Sequence, residues 1–184
     1  TNMFRDRVRE QVGQLEEVLA LTRPRDCVMD LKGETIYRPR PFYYALETIA
    51  RNAISHQLIA DTIPESVIAG RCHLPGADAL SFPPRARAFL TNHFLDLGAL
   101  RASGQWIRSD GSFFVAVPGR YVIASRNGLV RGLLDGSPVG GAVSLDAGNH
   151  RFMGAAAGER VACFWAEAFE RGYSPFLRPG RSFR

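Results

Sequence analysis

The sequence predicts an α+β fold, with a small α/β layer (a mixed sheet with flanking helices) followed by an antiparallel β-sandwich. Three observations predict it. In the first hundred residues, apolar side chains recur at helical spacing between short strand-like runs. From residue 104 to 170, short β-rich runs alternate with turn dipeptides. The 18 glycines and 11 prolines demand more turns than a helical bundle uses. The expected division is an α/β region over 1–103, a sandwich module over 104–170 and a basic, irregular tail over 171–184.

The elements follow in chain order. Residues 2–22 read as an amphipathic helix, with Phe4, Val8, Val12, Leu15 and Leu19 on one face and Arg5, Arg9 and Glu16 on the other. Pro24 ends it. Residues 27–31 form a strand-like run. Pro39 and Pro41 then force an extended path before a second helix over 42–58, whose apolar face is Leu46, Ile49, Ala53 and Ile54. Residues 66–72 (SVIAGRC) predict a second strand. Ser81 is the expected N-cap of a helix that begins at Pro83-Pro84, and residues 100–107 predict a third strand. In the sandwich region, Pro118-Gly119, Asn127-Gly128, Asp135-Gly136 and Asp146-Ala147-Gly148 mark turns between strands. Asn-Gly and Asp-Gly favour hairpins because type I′ turns need positive φ.

Net charge is +5, and Lys32 is the single lysine among 23 basic residues. Arginine binds phosphate and carboxylate in bidentate fashion. The arginines are scattered along the chain without a dense stripe, which argues against nucleic acid as a partner. No apolar run reaches the roughly 20 residues needed to span a bilayer. The first residue is Thr1, as in a piece of a longer protein. Cys27, Cys72 and Cys163 have no CxxC spacing, so zinc and thioredoxin chemistry lack support. Their odd number argues against a disulfide framework but leaves one bridge open. The apolar flanks of Cys27 and Cys163 suggest buried thiols.

Candidate chemistry is sparse. Asp30, Lys32, Glu34, Arg38 and Arg40 follow the first predicted strand, where open α/β sheets bind ligands. Arg38 and Arg40, on a proline-stiffened loop, would clamp a phosphate or carboxylate; the competing reading is loop charges that pair with one another. LKGET has neither Rossmann nor Walker spacing. Cys72-His73 follows the second predicted strand, and the sequence marks no partner for a cysteine nucleophile. His56, His93 and His150 lack metal-ligand spacing. Ser112 in DGSFF is no nucleophile elbow. Asp110, Asp135 and Asp146 have sufficient reason as turn residues. Tyr37, Phe42, Tyr43, Tyr44, Trp106 and Trp165 would make a sugar-stacking platform if exposed, yet such aromatics more commonly belong to cores. The candidate ligand-binding set is therefore Arg38, Arg40, Asp30 and His73; the sequence identifies no catalytic residue, and no metal or cofactor is expected.

Segment order carries one resemblance. A helix leads to TRPRDCVMDL, then YRPRPFYYALETI, IPESVIAG and PPRARAFLTNHFLDLGALRASGQWI. Over about residues 3–108 this resembles the extramembrane carboxy-terminal part of polytopic glycosyltransferases of the dolichyl-phosphate-mannose and aminoarabinose transferase type. The β-rich part, with VPGRYVIAS, LLDG and LDAGNHRF, is similar to small β-sandwich modules appended to envelope and carbohydrate-active proteins. The resemblance implies a non-catalytic accessory region on the extracytoplasmic (periplasmic) face of the inner membrane. Its parent would transfer sugar from a polyprenyl-phosphate donor. The partners implied are the membrane-embedded portion of the same polypeptide and anionic lipid or glycan. The family's catalytic carboxylate lies in an early loop that nothing here matches. The alternatives are a free-standing envelope carbohydrate-binding module, marked by an exposed row of aromatics, and a small α/β enzyme for a phosphorylated substrate, marked by a pocket joining Asp30, Arg38, Arg40 and His73.

Overall fold

The computed structural model describes residues 2–30, 38–41, 48–75, 81–98 and 100–176, with side chains of the first helix from Arg9 and Gln11 onward. The expectations placed on Phe4, Val8, Lys32, Glu34, Tyr37, Phe42, Tyr43, Tyr44, Leu46 and the tail after Phe176 lie outside the described residues. In order the elements are α1 (Asn2–Leu21), β1 (Val28–Met29), α2 (Thr48–Ser55), α3 (Ile63–Ala69), β2 (Leu74–Pro75), α4 (Pro84–His93), β3 (Phe94–Asp96), β4 (Arg101–Trp106), β5 (Ser112–Val115), β6 (Gly119–Ser125), β7 (Gly128–Leu129), β8 (Gly132–Leu134), β9 (Ser137–Val139), β10 (Val143–Leu145), β11 (Gly148–Met153), β12 (Val161–Trp165) and α5 (Ala166–Glu170). The fold is of the mixed α+β class. Among the described residues, no helix is long and apolar enough to cross a membrane.

A six-stranded antiparallel sheet, ordered β10-β6-β12-β4-β3 with β7 on β6, runs through the middle of the molecule. Alternation along its strands serves two cores at once. Tyr121 and Ile123 of β6, with Val161 and Cys163 of β12, face the four-stranded sheet β5-β11-β8-β9 and meet Phe113, Leu134 and Phe152. Val122, Ala124, Ala162 and Phe164 face the other way, onto Val18 and Leu21 of α1 and Ala166 and Ala168 of α5. A third cluster joins Ile54, Ile63, Val67, Ala86 and Leu90 of α2, α3 and α4 to Met29 and Phe94. Position 103–104 falls inside β4, a strand of the shared sheet.

Several elements differ from expectation, each for a physical reason. Residues 66–72 are not a strand. Ile63 and Val67 are four apart and buried, Pro64 and Glu65 suit a first helical turn, and α3 forms instead. Cys72 and His73 consequently precede the strand β2 rather than follow one. β1 and β2 pair in parallel, Val28 opposite Leu74. The N-cap position of α4 is held by Pro83, not Ser81, and makes no side-chain cap. Asp61 does that job from a distance, accepting from the Ala86 amide at 3.1 Å and from the Ile63 amide at 3.3 Å. One carboxylate thus serves the amino ends of α3 and α4. On α1 the packed residues are Val18 and Leu21, while Val12 and Leu19 of the predicted apolar face are exposed.

The Asp135-Gly136 hairpin is as expected: Leu134 pairs with Ser137, and the two loop residues have φ of 50° and 84°. At Asn127-Gly128 the turn slips by one, because Ser125 pairs with Gly128 and the loop is Arg126-Asn127. Pro118-Gly119 and Asp146-Ala147-Gly148 do not close hairpins; they carry the chain from one sheet to the other.

Candidate functional site

The one bridge left open by the sequence is present, and it corrects the expectation of Cys27 as a free, buried thiol. Cys27 and Cys72, 45 residues apart, form a bridge, and Cys163 remains a free, buried thiol whose pKa burial pushes up. Pairing follows from β1 and β2 lying side by side, which brings the residues just before each strand together. Gly70 sits against the bridge, its missing Cβ leaving room for the Cys72 and Cys27 sulfurs.

Each bridged cysteine carries arginine beside it: Arg23 and Arg25 before Cys27, and Arg71 before Cys72. The bridge therefore gathers three arginines at the mouth of a cleft of about 390 Å³. Arg120 at the start of β6 and Arg171 after α5 complete a set of five arginines, against which stand the carboxylates of Asp26 and Glu167. Two of the five are engaged. Arg120 pairs with Glu167 at 3.2 Å and Glu170 at 2.8 Å. Arg171 donates to the Ala20 carbonyl, which ties the end of α5 to the end of α1. Asp26 accepts from the Arg23 amide, folding the loop after α1 into a turn. Arg23, Arg25 and Arg71 are exposed and make no ion pair among the described residues. The cleft is thus a concave, net-positive surface, suited to an oxyanion.

His73 lies in its wall. The ring stacks on Trp165 with centroids 5.2 Å apart and planes 8° apart, and the edge of Tyr121 meets it at 6.1 Å. Nδ1 is 3.1 Å from Ser103 Oγ, and the Ser103 amide donates to the His73 carbonyl at 2.8 Å. Gly119 is required beside it, since a Cβ there would fall 2.6 Å from the ring. Burial holds His73 down at about 4; Asp26 opposes and Arg71 reinforces that shift, so the ring is neutral at pH 7.

The other predicted site residues are placed differently. Arg40 pairs with Asp30 at 2.9 Å and also donates to the Asp30 carbonyl. Arg38 donates to Thr22 Oγ1 at 2.7 Å and to the Thr22 carbonyl at 2.9 Å, and Thr22 in turn donates to the Val18 carbonyl. Arg38 thereby secures the carboxyl end of α1 and backs a residue that lines the cleft. Of the four, His73 alone lines it. The cleft arginines went unread because they are spread from position 23 to 171; the usable signal was arginine flanking two of the three cysteines.

Elsewhere, His150 links two turns, with Nδ1 2.7 Å from Asp135 Oδ2 and Nε2 3.0 Å from the Asp146 carbonyl. Trp165 is buried, and Trp106 is covered by Arg160, 3.6 Å from its ring centroid, and by Phe176. The outer face of the four-stranded sheet presents Phe114, Leu133 and Met153, one aromatic rather than a row. Among the described residues, no group of three or more His, Cys, Asp or Glu side chains is placed to hold a metal ion. No family model, curated protein or solved structure matches this chain.

Proposed function

We propose that this chain is an extracytoplasmic, non-catalytic binding region that holds an anionic ligand in the cleft beside His73. We propose further that it serves as the accessory region of a membrane glycosyltransferase using polyprenyl-phosphate sugar donors. One observation carries the first part: five arginines from four separate segments converge on one cleft against two carboxylates. The disulfide supports an oxidising compartment, where such bridges persist. The hydroxyl facing His73 supports binding over covalent chemistry, because Ser103 is 1% exposed and offers no nucleophile to the cleft. The segment-order resemblance supplies the second part, with the membrane-embedded portion of the same polypeptide as partner.

Calorimetric titration with inorganic phosphate at low ionic strength tests the cleft. The wild-type chain binds, and Arg25→Glu/Arg71→Glu binds at least about tenfold more weakly, since charge reversal turns attraction into repulsion. Equal binding by the two proteins would remove the cleft from the reading.

A further inference from the structure

The disulfide shows one half to the cleft and hides the other. Cys27 is half-buried and lines the cleft, whereas Cys72 is 0% exposed and lies behind its wall. Gly70, exposed on the same wall, is the residue against the bridge: a Cβ there would stand 3.3 Å from Cys27 Sγ and 3.2 Å from Cys72 Sγ. Glycine leaves that side of the bridge without a covering side chain. Cys72 itself is anchored in the core with Ile63 and Val67 of α3, so it keeps its place whether or not the bond to Cys27 is intact.

The charge of the cleft acts on this exposed half. Arg23, Arg25 and Arg71 face solvent, and of the two opposing carboxylates Glu167 is already taken by Arg120, which leaves Asp26. Disulfides exchange when a thiolate attacks one sulfur, at a rate set by the thiolate fraction and by access. Arginine nearby favours the thiolate over the thiol. A thiol that also carries an acid group arrives with two negative charges, and a positive cleft concentrates it. Access and charge coincide at Cys27. Cys163, 1% exposed in the sandwich core, has neither.

We propose that Cys27 is a thiolation site for an acidic low-molecular-weight thiol, whose carboxylate, sulfonate or phosphate is held by Arg25 and Arg71. This rests on the anion-binding reading above and names a class of ligand for it. The thiolate sulfur bonds to Cys27 Sγ, the Cys27–Cys72 bond breaks, and its electron pair leaves on Cys72 Sγ, which takes up a proton from water. The incoming thiol is oxidised and Cys72 is reduced. Because Cys72 stays packed beside the site, loss of that proton lets it attack Cys27 again and expel the thiol.

Mass spectrometry of the full chain after acid quench follows mixed-disulfide formation with mercaptoethanesulfonate, mercaptoethanol and cysteamine, which are similar in size and differ in charge. Rates are expressed per thiolate at low ionic strength. The sulfonate reacts about tenfold faster than the amine, with the alcohol between them, and the gap closes at high salt. Peptide mapping places the adduct on Cys27. These measurements need no variant to fold; Arg25→Glu/Arg71→Glu, as a second arm, reverses the order. Equal rates for the three thiols, an adduct on Cys72, or no adduct at all overturns this inference, and phosphate binding by the untreated chain then leaves the anion cleft standing. Equal rates together with no phosphate binding overturn both.

Discussion

Around the helices, contacts join segments far apart in the chain: Cys27 to Cys72, Arg171 to Ala20, and Ser103 to His73. On the sandwich face, much of the structure is local, with tight hairpins at Arg126-Asn127 and Asp135-Gly136. Two of the four histidines show the same divide. His73 is half-buried and held neutral, whereas His150 bridges two turns near the surface. Burial pulls His150 down, but its bonds to Asp135 and Asp146 outweigh that, and its net shift is upward. The long-range side gathers charge into a cleft; the local side supplies the wall against which the cleft is built.

Breaking the bridge separates the two sides most strongly. Cys27→Ser/Cys72→Ser releases a 45-residue loop and costs about 4 kcal/mol of stability, together with the phosphate affinity of the cleft. Urea unfolding and phosphate titration read both effects; unchanged affinity would show that the arginines hold their places without the bridge.

Acidity acts next. Folded His73 resists protonation, so between about pH 6.5 and 4 the unfolded chain binds more protons than the folded one. The stability it contributes is complete above about pH 6.5 and is lost as pH falls toward 4, up to about 3 kcal/mol. His150 has the opposite sign. Its contribution is complete below the unfolded value and is lost as pH rises through its higher folded value. With Asp135 nearly half exposed, that contribution is no more than about 0.5 kcal/mol. Urea unfolding across pH checks this: His73→Phe flattens the acid limb, and His150→Gln leaves that limb intact. Persistence of the acid limb in His73→Phe would assign it to other groups.

The smallest change sharpens the comparison on the hairpin side. Gly136 sits at φ 84°, where a Cβ is strained although the surrounding space is open. Gly136→Ala costs about 1 kcal/mol, a melting shift of about 2–4 °C, with phosphate affinity unaltered. A loss of affinity would show that the two faces are coupled more tightly than the contacts indicate.

The same divide governs what was legible in the sequence. Asp135-Gly136 specifies its turn through two backbone angles, so the residues themselves announce it. The class, the helices α1, α2 and α4 and the β-rich half could be read from such local signals, apolar period and turn residues; α3 and α5 could not. At residues 66–72 the Val-Ile pair reads as strand, and only the burial of Ile63 and Val67 decides for helix. The apolar face of α1 is legible as a period, yet which part of it packs is set by the sheet above Val18 and Leu21. For the site, His73 was marked but Arg23, Arg25, Arg71, Arg120 and Arg171 were not, because no local rule ties residues that a bridge and a sheet bring together. Arg38 and Arg40 looked like a ligand clamp; in the fold they bond to Thr22 and Asp30.

β6 and β12 each give alternate side chains to cores on opposite sides of one sheet. Neither core can therefore melt while the other persists, since loss of either frees the same two strands. A binding event in the cleft and a disturbance at the far hairpins draw on one shared reserve of cooperativity, which makes the molecule mechanically a single body despite the change of style along its chain.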